Sequence, residues 1–484
     1  MTAVADVDSQ VAEVSRPANP AASLRVRLAE AIFPATPAPD RRLRTLVSYT
    51  VGFVAAMAYP LVLPLGRVHF NRIWAEDGPI FLGDAQTSHF PGVLLKPYNG
   101  YLHVLPRLIA EVVSVLPVGW WAAAICLAAA GVRAAFAVAV FIASAGHCRT
   151  RAVRLLLASA IVVLPVGNLE TINNISNLHW YIPIAAFWLL LSRPLSRPGN
   201  AFVAVALFVL VLSSPLSLLL VPLALMRFVL ERRRDAWPAI AVLAATAMQA
   251  VAVANETRTR FPVDLPQAVA TAEARVSLVT FTGPELAIHA RNWALGLTTF
   301  LTSWPGLLAT IVALAITARA FVLGRDSRRV VTALCLGYAV LTIGLDLFMN
   351  WNVGWLRIDV RNYVIEGQRY GVTSCYFLFS ALVFGLDRYS NRQPHRWRQV
   401  GIGAARVAVA SLMVAGVIAQ WKVAGNVPSR DAGTLRQWVS SGSTWSDAVS
   451  AGERQCANGV ESAQVAINPN GWTVEVPCDR LRSG

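Results

Sequence analysis

Charge is scarce in this chain. Of its 484 residues only 14% are Asp, Glu, Lys or Arg, while 55% are hydrophobic; a soluble domain carries about a quarter charged residues. So little charge cannot cover a water-exposed surface of ordinary extent, and the composition reads as that of a membrane protein. Acids are scarcer than bases, 27 against 42, which leaves a formal net charge of +15. Nucleic-acid binding would need that excess as a basic stripe on a soluble domain. Here it sits as arginines in short loops between apolar runs, the signature of membrane topology, so nucleic acid is set aside as a partner. The sequence also lacks a Gly-rich phosphate loop, a nucleophile elbow and any His and Cys spacing that resembles a zinc site, which removes ATP hydrolysis and a zinc centre from the expectations.

Residues 1–44 lack the apolar stretch of a cleaved signal peptide. They are polar, carry Pro17, Pro20, Pro34, Pro37 and Pro39, and read as a disordered cytoplasmic tail. Arg41, Arg42 and Arg44 abut the first apolar run, 46–66, which is long enough to cross a hydrocarbon core of roughly 30 Å. Basic residues remain inside, so the first outer loop is 67–104. It leads into an amphipathic piece, Tyr101 to Leu116, ending at Pro117.

Further runs follow at 119–145, 154–166, 181–192, 201–212, 218–230, 238–254, 298–323, 330–350, 372–387 and 400–421. The arginines of HCRTRAVR, ERRR, GRDSRR and DRYSNRQPHRWRQ alternate with polar outer turns. The expectation is an all-α polytopic protein of about eleven transmembrane helices over residues 45–421, with further outer loops at 255–295 and 351–371. Arg133 falls near the middle of the second run, where a charge normally faces a bundle interior or cavity.

An odd number of crossings puts residues 422–484 outside the cell. Four of the six cysteines, Cys126, Cys148, Cys335 and Cys375, lie in or beside apolar runs and read as small hydrophobes. Cys456 and Cys478 fall in the polar tail, where an oxidising compartment lets them pair. Within that tail AQVAI and WTVEV flank the turn sequence NPNG, a β-hairpin pattern. The tail is therefore expected to be a small α+β cap stapled by a disulfide.

The sharpest chemical feature is WAEDGPIF, which sets Glu76 beside Asp77 just beyond the first span. Crowded carboxylates cannot both ionise freely, so one can keep a raised pKa suited to proton abstraction. A solvated acidic turn before Gly78 and Pro79 is the equal alternative.

With this motif in its place, the chain resembles the integral-membrane glycosyltransferases of the GT-C type, which use polyprenyl-phosphate sugars and carry an acidic pair in the first outer loop. YNGYLHVLPRLIA looks like the amphipathic helix that follows that motif in bacterial members. SSPLS in a broken later helix, GQRYG before a late helix and NGWTVEVPC near the end extend the likeness in order along the chain. The resemblance implies transfer of a hexose or pentose from a polyprenyl-phosphate donor to a cell-envelope glycan or lipid acceptor, on the outer face of the inner (plasma) membrane.

Carried over to this chain, Asp77 is the expected general base, with Glu76 as alternative or partner. The leaving group is a lipid phosphate, which calls for fixed cationic groups, and arginine binds phosphate oxygens bidentately. Arg369 with Tyr370 is the first candidate, and Arg361 and Arg107 are weaker ones. Against these stand plain readings: an interfacial arginine that snorkels and an Arg107 that faces headgroups. His179 and His103 are candidate substrate contacts, whereas Trp180 reads as an aromatic-belt anchor and Asn173, Asn174 and Asn177 as turn residues. No cofactor is required, although a divalent cation on Glu76 and Asp77 occurs in some relatives of the type. The rival function is a transporter or flippase of lipid-linked or polar cargo, since broken helices and intramembrane charges also mark transport sites. The two halves of the chain, however, show no self-similarity.

Overall fold

A computed structural model describes residues 20–37, 43–148, 150–194, 196–231, 235–254, 262–287, 304–324, 326–351, 367–387, 396–423, 428–429, 433–434 and 442–482. Eight helices among them are long and apolar enough to cross a membrane: Leu43–Val62, Val118–Gly146, Arg151–Asn168, Trp237–Ala254, Trp304–Leu323, Asp326–Asn350, Gln368–Leu386 and Gly403–Trp421. The other three expected spans form shorter apolar helices, Ile182–Leu191, Arg197–Val211 and Pro215–Leu230. At 1.5 Å per residue these short helices do not reach across a hydrocarbon core by themselves.

Large apolar side chains stand exposed along the outer helices, among them Leu46, Val51, Phe202, Val205, Ile311, Val340 and Val414. Rows of this kind are a liability in water and at no cost in lipid. The interior is one apolar core in which Phe187, Trp188, Tyr338, Phe377 and Phe384 interlock. Ile182–Leu191 and Gln368–Leu386 run through its middle, buried almost all round. Arg133 is fully buried there, as its position requires: it donates to the Ile161 carbonyl and to Asn168 Oδ1 at 3.0 and 2.9 Å and lies over the Tyr181 ring. It thereby satisfies carbonyls freed where the Arg151–Asn168 helix ends.

Two regions differ from the reading of the sequence. Where a disordered tail was expected, Pro20–Ile32 is a helix packed on Asp326–Asn350 and Val221–Leu230, and Ala35–Thr36 pairs in parallel with Arg193–Pro194. Long-range contacts order it: Ala29, Ile32 and Phe33 are buried, and Arg25 donates to the carbonyls of Val229 and Leu230 at the open end of their helix. In the expected outer loop 255–295, residues 265–287 are helical, with a π-turn stretch at Glu273–Leu278 that packs against Trp304–Leu323.

The carboxy-terminal cap has the expected α+β form. Ser462–Ile467 and Trp472–Pro477 form an antiparallel hairpin in which Ile467 faces Trp472, and Gly471 supplies the positive φ of 93° that the turn needs. Alternate residues Ala463, Val465, Ile467, Val474 and Val476 point inward beneath the Trp445–Ala457 helix. Thr444 caps that helix by accepting from the Asp447 amide, and Cys456 is bonded to Cys478. The cap and the first loop share a second core: Trp445 stacks on Trp121 and donates to the Val118 carbonyl at 2.8 Å, while Phe81, Val113 and Ile175 close the cluster.

Candidate functional site

The first loop is a chain of short helical turns, and its course is set by the cap. Trp74 pairs with Asn468, Asn468 donates its backbone N–H to Ile73 at 2.9 Å, and the Ala75 amide donates back to Asn468. Ala75 takes a φ of 35° under this restraint, a region costly for a residue with a Cβ. Glu76 and Asp77 follow in a 3₁₀ turn, and Gly78 comes next because Ile467 packs against it. A Cβ there would lie 2.5 Å from Ile467 Cδ1.

The turn splits the acidic pair. Asp77 has no exposure, and its two carboxylate oxygens accept from the backbone amides of Ile175 and Ser176 at 3.0 and 2.8 Å. Burial pushes its pKa up to about 7 against the pull of those hydrogen bonds, with the Glu76 charge adding a little. Glu76 is half-buried and lines a cavity of about 660 Å³. Asp77 thus braces the first loop against the 169–181 turn, and of the acidic pair it is Glu76 that borders the cavity.

That cavity gathers residues that are far apart in the chain. Tyr98, Tyr101 and His103 come from the first loop, Asn177, His179 and Trp180 from the 169–181 turn, Leu216 and Leu218 from the Pro215 break, and Arg369 and Tyr370 from GQRYG. The remaining wall is Val253, Leu345, Asp346, Met349 and Asn350, at the ends of two long helices. The 169–181 turn is pinned from three sides. Ser214 Oγ donates to the His179 carbonyl at 2.8 Å, Thr373 Oγ1 to the Trp180 carbonyl at 2.6 Å, and the Asp77 carboxylate takes the two amides before them. Asn174 and Asn177 bond within the turn, as turn asparagines do, and Asn173 donates to the Pro60 carbonyl at 3.2 Å.

Aromatic rings pack along the cavity. Tyr101 and His103 have centroids 4.1 Å apart, His179 and Trp180 4.5 Å, and Trp180 meets Tyr370 edge-on at 5.1 Å. Trp180 is therefore not a belt anchor: it is buried, and its indole N–H donates to Asn177 Oδ1 at 3.1 Å. Both histidines are neutral at physiological pH. Burial lowers the His179 pKa to about 4, and burial, helped by His179 and Arg107, holds His103 well below its ordinary value. His179 Nδ1 lies 2.6 Å from the Ser176 carbonyl; a carbonyl can only accept, so Nδ1 carries the hydrogen and Nε2 is an acceptor. Neutral rings suit hydroxyls better than they suit a phosphate.

Arg369 lines the cavity and pairs with Glu170 at 3.0 Å, while Glu170 also accepts from the Gly367 amide at 2.5 Å. This buried acid, absent from the candidates drawn from the sequence, orients the guanidinium toward the GQRYG edge of the cavity. Asp346 was missed as well, although a lone acid inside an apolar run is a signal in itself. Arg107 is not part of the site and does not face headgroups: it is buried, bonded to Asp84 at 2.8 Å and set over the Phe81 ring. Arg361 lies outside the described residues. Among the described residues no group of three or more His, Cys, Asp or Glu side chains is placed to hold a metal ion, and of the acidic pair Glu76 alone lines the cavity.

No family model, curated protein or solved structure matches this chain.

Proposed function

We propose that the protein is an integral-membrane glycosyltransferase of the GT-C kind, moving a sugar from a polyprenyl-phosphate donor to a cell-envelope glycan or lipid acceptor on the outer face of the plasma membrane. One observation carries the reading: Glu76 from the first loop and Arg369 from the start of a late helix line a single cavity whose wall also holds aromatic rings and the apolar side chains of Leu216, Leu218, Val253, Leu345 and Met349. A carboxylate, a fixed guanidinium and an apolar wall are what a lipid phosphate and an acceptor hydroxyl require of one site.

In the proposed step the Glu76 carboxylate takes the proton of the acceptor hydroxyl, and that oxygen bonds to the anomeric carbon. The bond from the anomeric carbon to the phosphate oxygen breaks, and the lipid phosphate leaves with the electron pair. Arg369, oriented by Glu170, stabilises the charge that develops there. The apolar wall accommodates the first isoprene units.

The test is transfer from labelled polyprenyl-phosphate sugars in membranes holding Glu76→Gln or Asp77→Asn. Glu76→Gln is expected to lose at least about a hundredfold in rate, and Asp77→Asn to keep most of it. Near wild-type transfer by Glu76→Gln would remove the base from the mechanism. A flippase draws some support from the intramembrane acid Asp346; it would move lipid-linked cargo with Glu76→Gln and yield no glycoside product in either form. Comparing the envelope glycans of deletion and wild-type cells names the linkage.

A further inference from the structure

The proposed step uses Glu76 and Arg369 and leaves another polar side chain of the cavity without a task. Asp346 is carried by the Asp326–Asn350 helix, lines the cavity between Leu345 and Met349, and is 4% exposed. Its Oδ2 has no hydrogen-bond partner. A buried polar atom without a partner is an expense that folding alone does not recover. Of its neighbours on the same helix face, Ile343 and Met349 are apolar, Thr342 is bonded to Ser374, and Asn350 donates to the Asp346 main-chain carbonyl, so none of them pairs with the carboxyl group.

The chemistry of the cavity narrows what could pair with it. An anion has the Arg369 guanidinium in the same cavity to go to. A metal ion would need further ligands, and among the described residues no cluster of three supplies them. An uncharged hydroxyl fits, because it donates to a carboxylate and exchanges hydrogen bonds with neutral imidazoles. His103 offers such a ring in the same cavity: it is 2% exposed, and with the Tyr98 carbonyl against one nitrogen a neutral imidazole keeps the other as an acceptor. Tyr101, Trp180 and Tyr370 supply flat apolar faces beside these groups, and the volume of about 660 Å³ lies within the range of small-molecule sites, roughly 300–1,000 Å³. Rings for the apolar faces and isolated acceptors for the edge describe a receptor for a sugar ring.

We propose that Asp346 is a specificity-determining residue that accepts a hydrogen bond from a hydroxyl of the transferred sugar, with His103 meeting the same ring. This rests on the reading of the cavity as a glycosyl-transfer site. It assigns Asp346 a part in choosing the sugar and none in moving the proton.

The experiment measures binding to the full-length chain in nanodiscs. The probes are decaprenyl phosphate without a sugar, and the same lipid carrying mannose as a hexose or arabinose as a pentose. The wild type is expected to hold one sugar-bearing lipid more tightly than the bare phosphate. Asp346→Leu should lose that increment, about tenfold or more, because a site built around a hydroxyl discriminates strongly through it. Its affinity for bare decaprenyl phosphate should stay within about twofold, which also shows that the variant is folded. Asp346→Asn keeps a carbonyl acceptor and should retain most of the increment. The proposal is overturned if Asp346→Leu keeps the full increment, or if both variants weaken all three probes alike, as a purely structural acid would. A wild type indifferent to the sugar overturns it too, while leaving the Glu76 transfer assay to be judged separately. A wild type that binds none of the three lipids overturns the glycosyltransferase reading and this inference together.

Discussion

Adjacent acids with opposite surroundings make the residue scale decisive. Asp77 is wrapped in protein and bonded to two backbone amides, and Glu76, one residue on the other side of the same turn, borders open volume. Their different duties follow from burial, and burial gives Asp77 a measurable signature. Its pKa is about 7 in the folded protein against 3.8 ordinarily, so between those values the native state holds a proton that the unfolded chain releases. Stability falls with rising pH wherever the native state binds more protons. The stabilising share of this group is therefore complete below about pH 4 and is lost as pH climbs through about 7. Asp77→Asn cannot titrate and should flatten the thermal-unfolding profile in detergent between pH 5 and 8. Asp77→Ala strands two buried N–H groups and should cost on the order of 2 kcal/mol or more at any pH. A profile for Asp77→Asn as steep as that of the wild type would place the titrating group elsewhere.

At the scale of elements, the cap acts as a clamp on the loop that carries Glu76. Asn468 is the joint: its main chain pairs with Trp74 and Ala75, its Oδ1 accepts from the Gly442 amide at 2.9 Å, and its Nδ2 donates to the Ser443 carbonyl at 3.2 Å. Arg72 adds donations to the Gly442 and Ser443 carbonyls from the loop side. The disulfide holds the Trp445–Ala457 helix to the end of the hairpin, which keeps the joint in register from behind. Asn468→Ala, and separately Cys456→Ser, should lower the maximal transfer rate by about tenfold while donor affinity, which depends on Arg369 and the apolar wall, changes little. Misplacing a catalytic group by a fraction of an ångström acts on the rate more than on ground-state binding. Steady-state kinetics with varied donor separates the outcomes, and a rise in KM at constant rate would show that the clamp serves binding instead. The hairpin itself was legible, because AQVAI and WTVEV alternate around a turn. Its docking onto Trp74 was not, since one backbone pairing across so much intervening chain leaves no local pattern.

For the whole molecule, periodicity and charge were legible and tertiary packing was not. Among the described residues each apolar run read from the sequence is helical, because hydrophobicity over many residues survives any local accident. The Pro20–Ile32 helix was missed because its low hydropathy hides two buried side chains, Ala29 and Ile32, which with Phe33 just past its end find their partners far along the chain. Residues 265–287 were missed because their polar groups face protein. The candidate site was half legible: Glu76, His103, His179, Arg369 and Tyr370 share one cavity, while Glu170 needed three dimensions and Asp346 showed only as a lone acid inside an apolar run. What remains is which end faces outward, and charge argues it. Arg154, Arg227, Arg319 and Arg328 bond to carbonyls and acids, and Arg193 pairs through its main chain, at the end of the bundle that carries the Pro20–Ile32 helix. Arginine-rich loops stay on the cytoplasmic side as a rule, so the opposite end, with the cavity and the disulfide, is expected to face the oxidising compartment. Val460→Cys on the cap should react with an impermeant maleimide in intact cells, and Asp326→Cys only after permeabilisation. Both positions are exposed, at 45% for Val460 and 88% for the Asp326 side chain, and the four native thiols are buried and unreactive. Losing one acid from an inner loop does little to topology, since the rule counts Lys and Arg. The reverse labelling pattern would turn the cavity toward the cytosol, away from an outer-leaflet donor, and the glycosyltransferase reading would go with it.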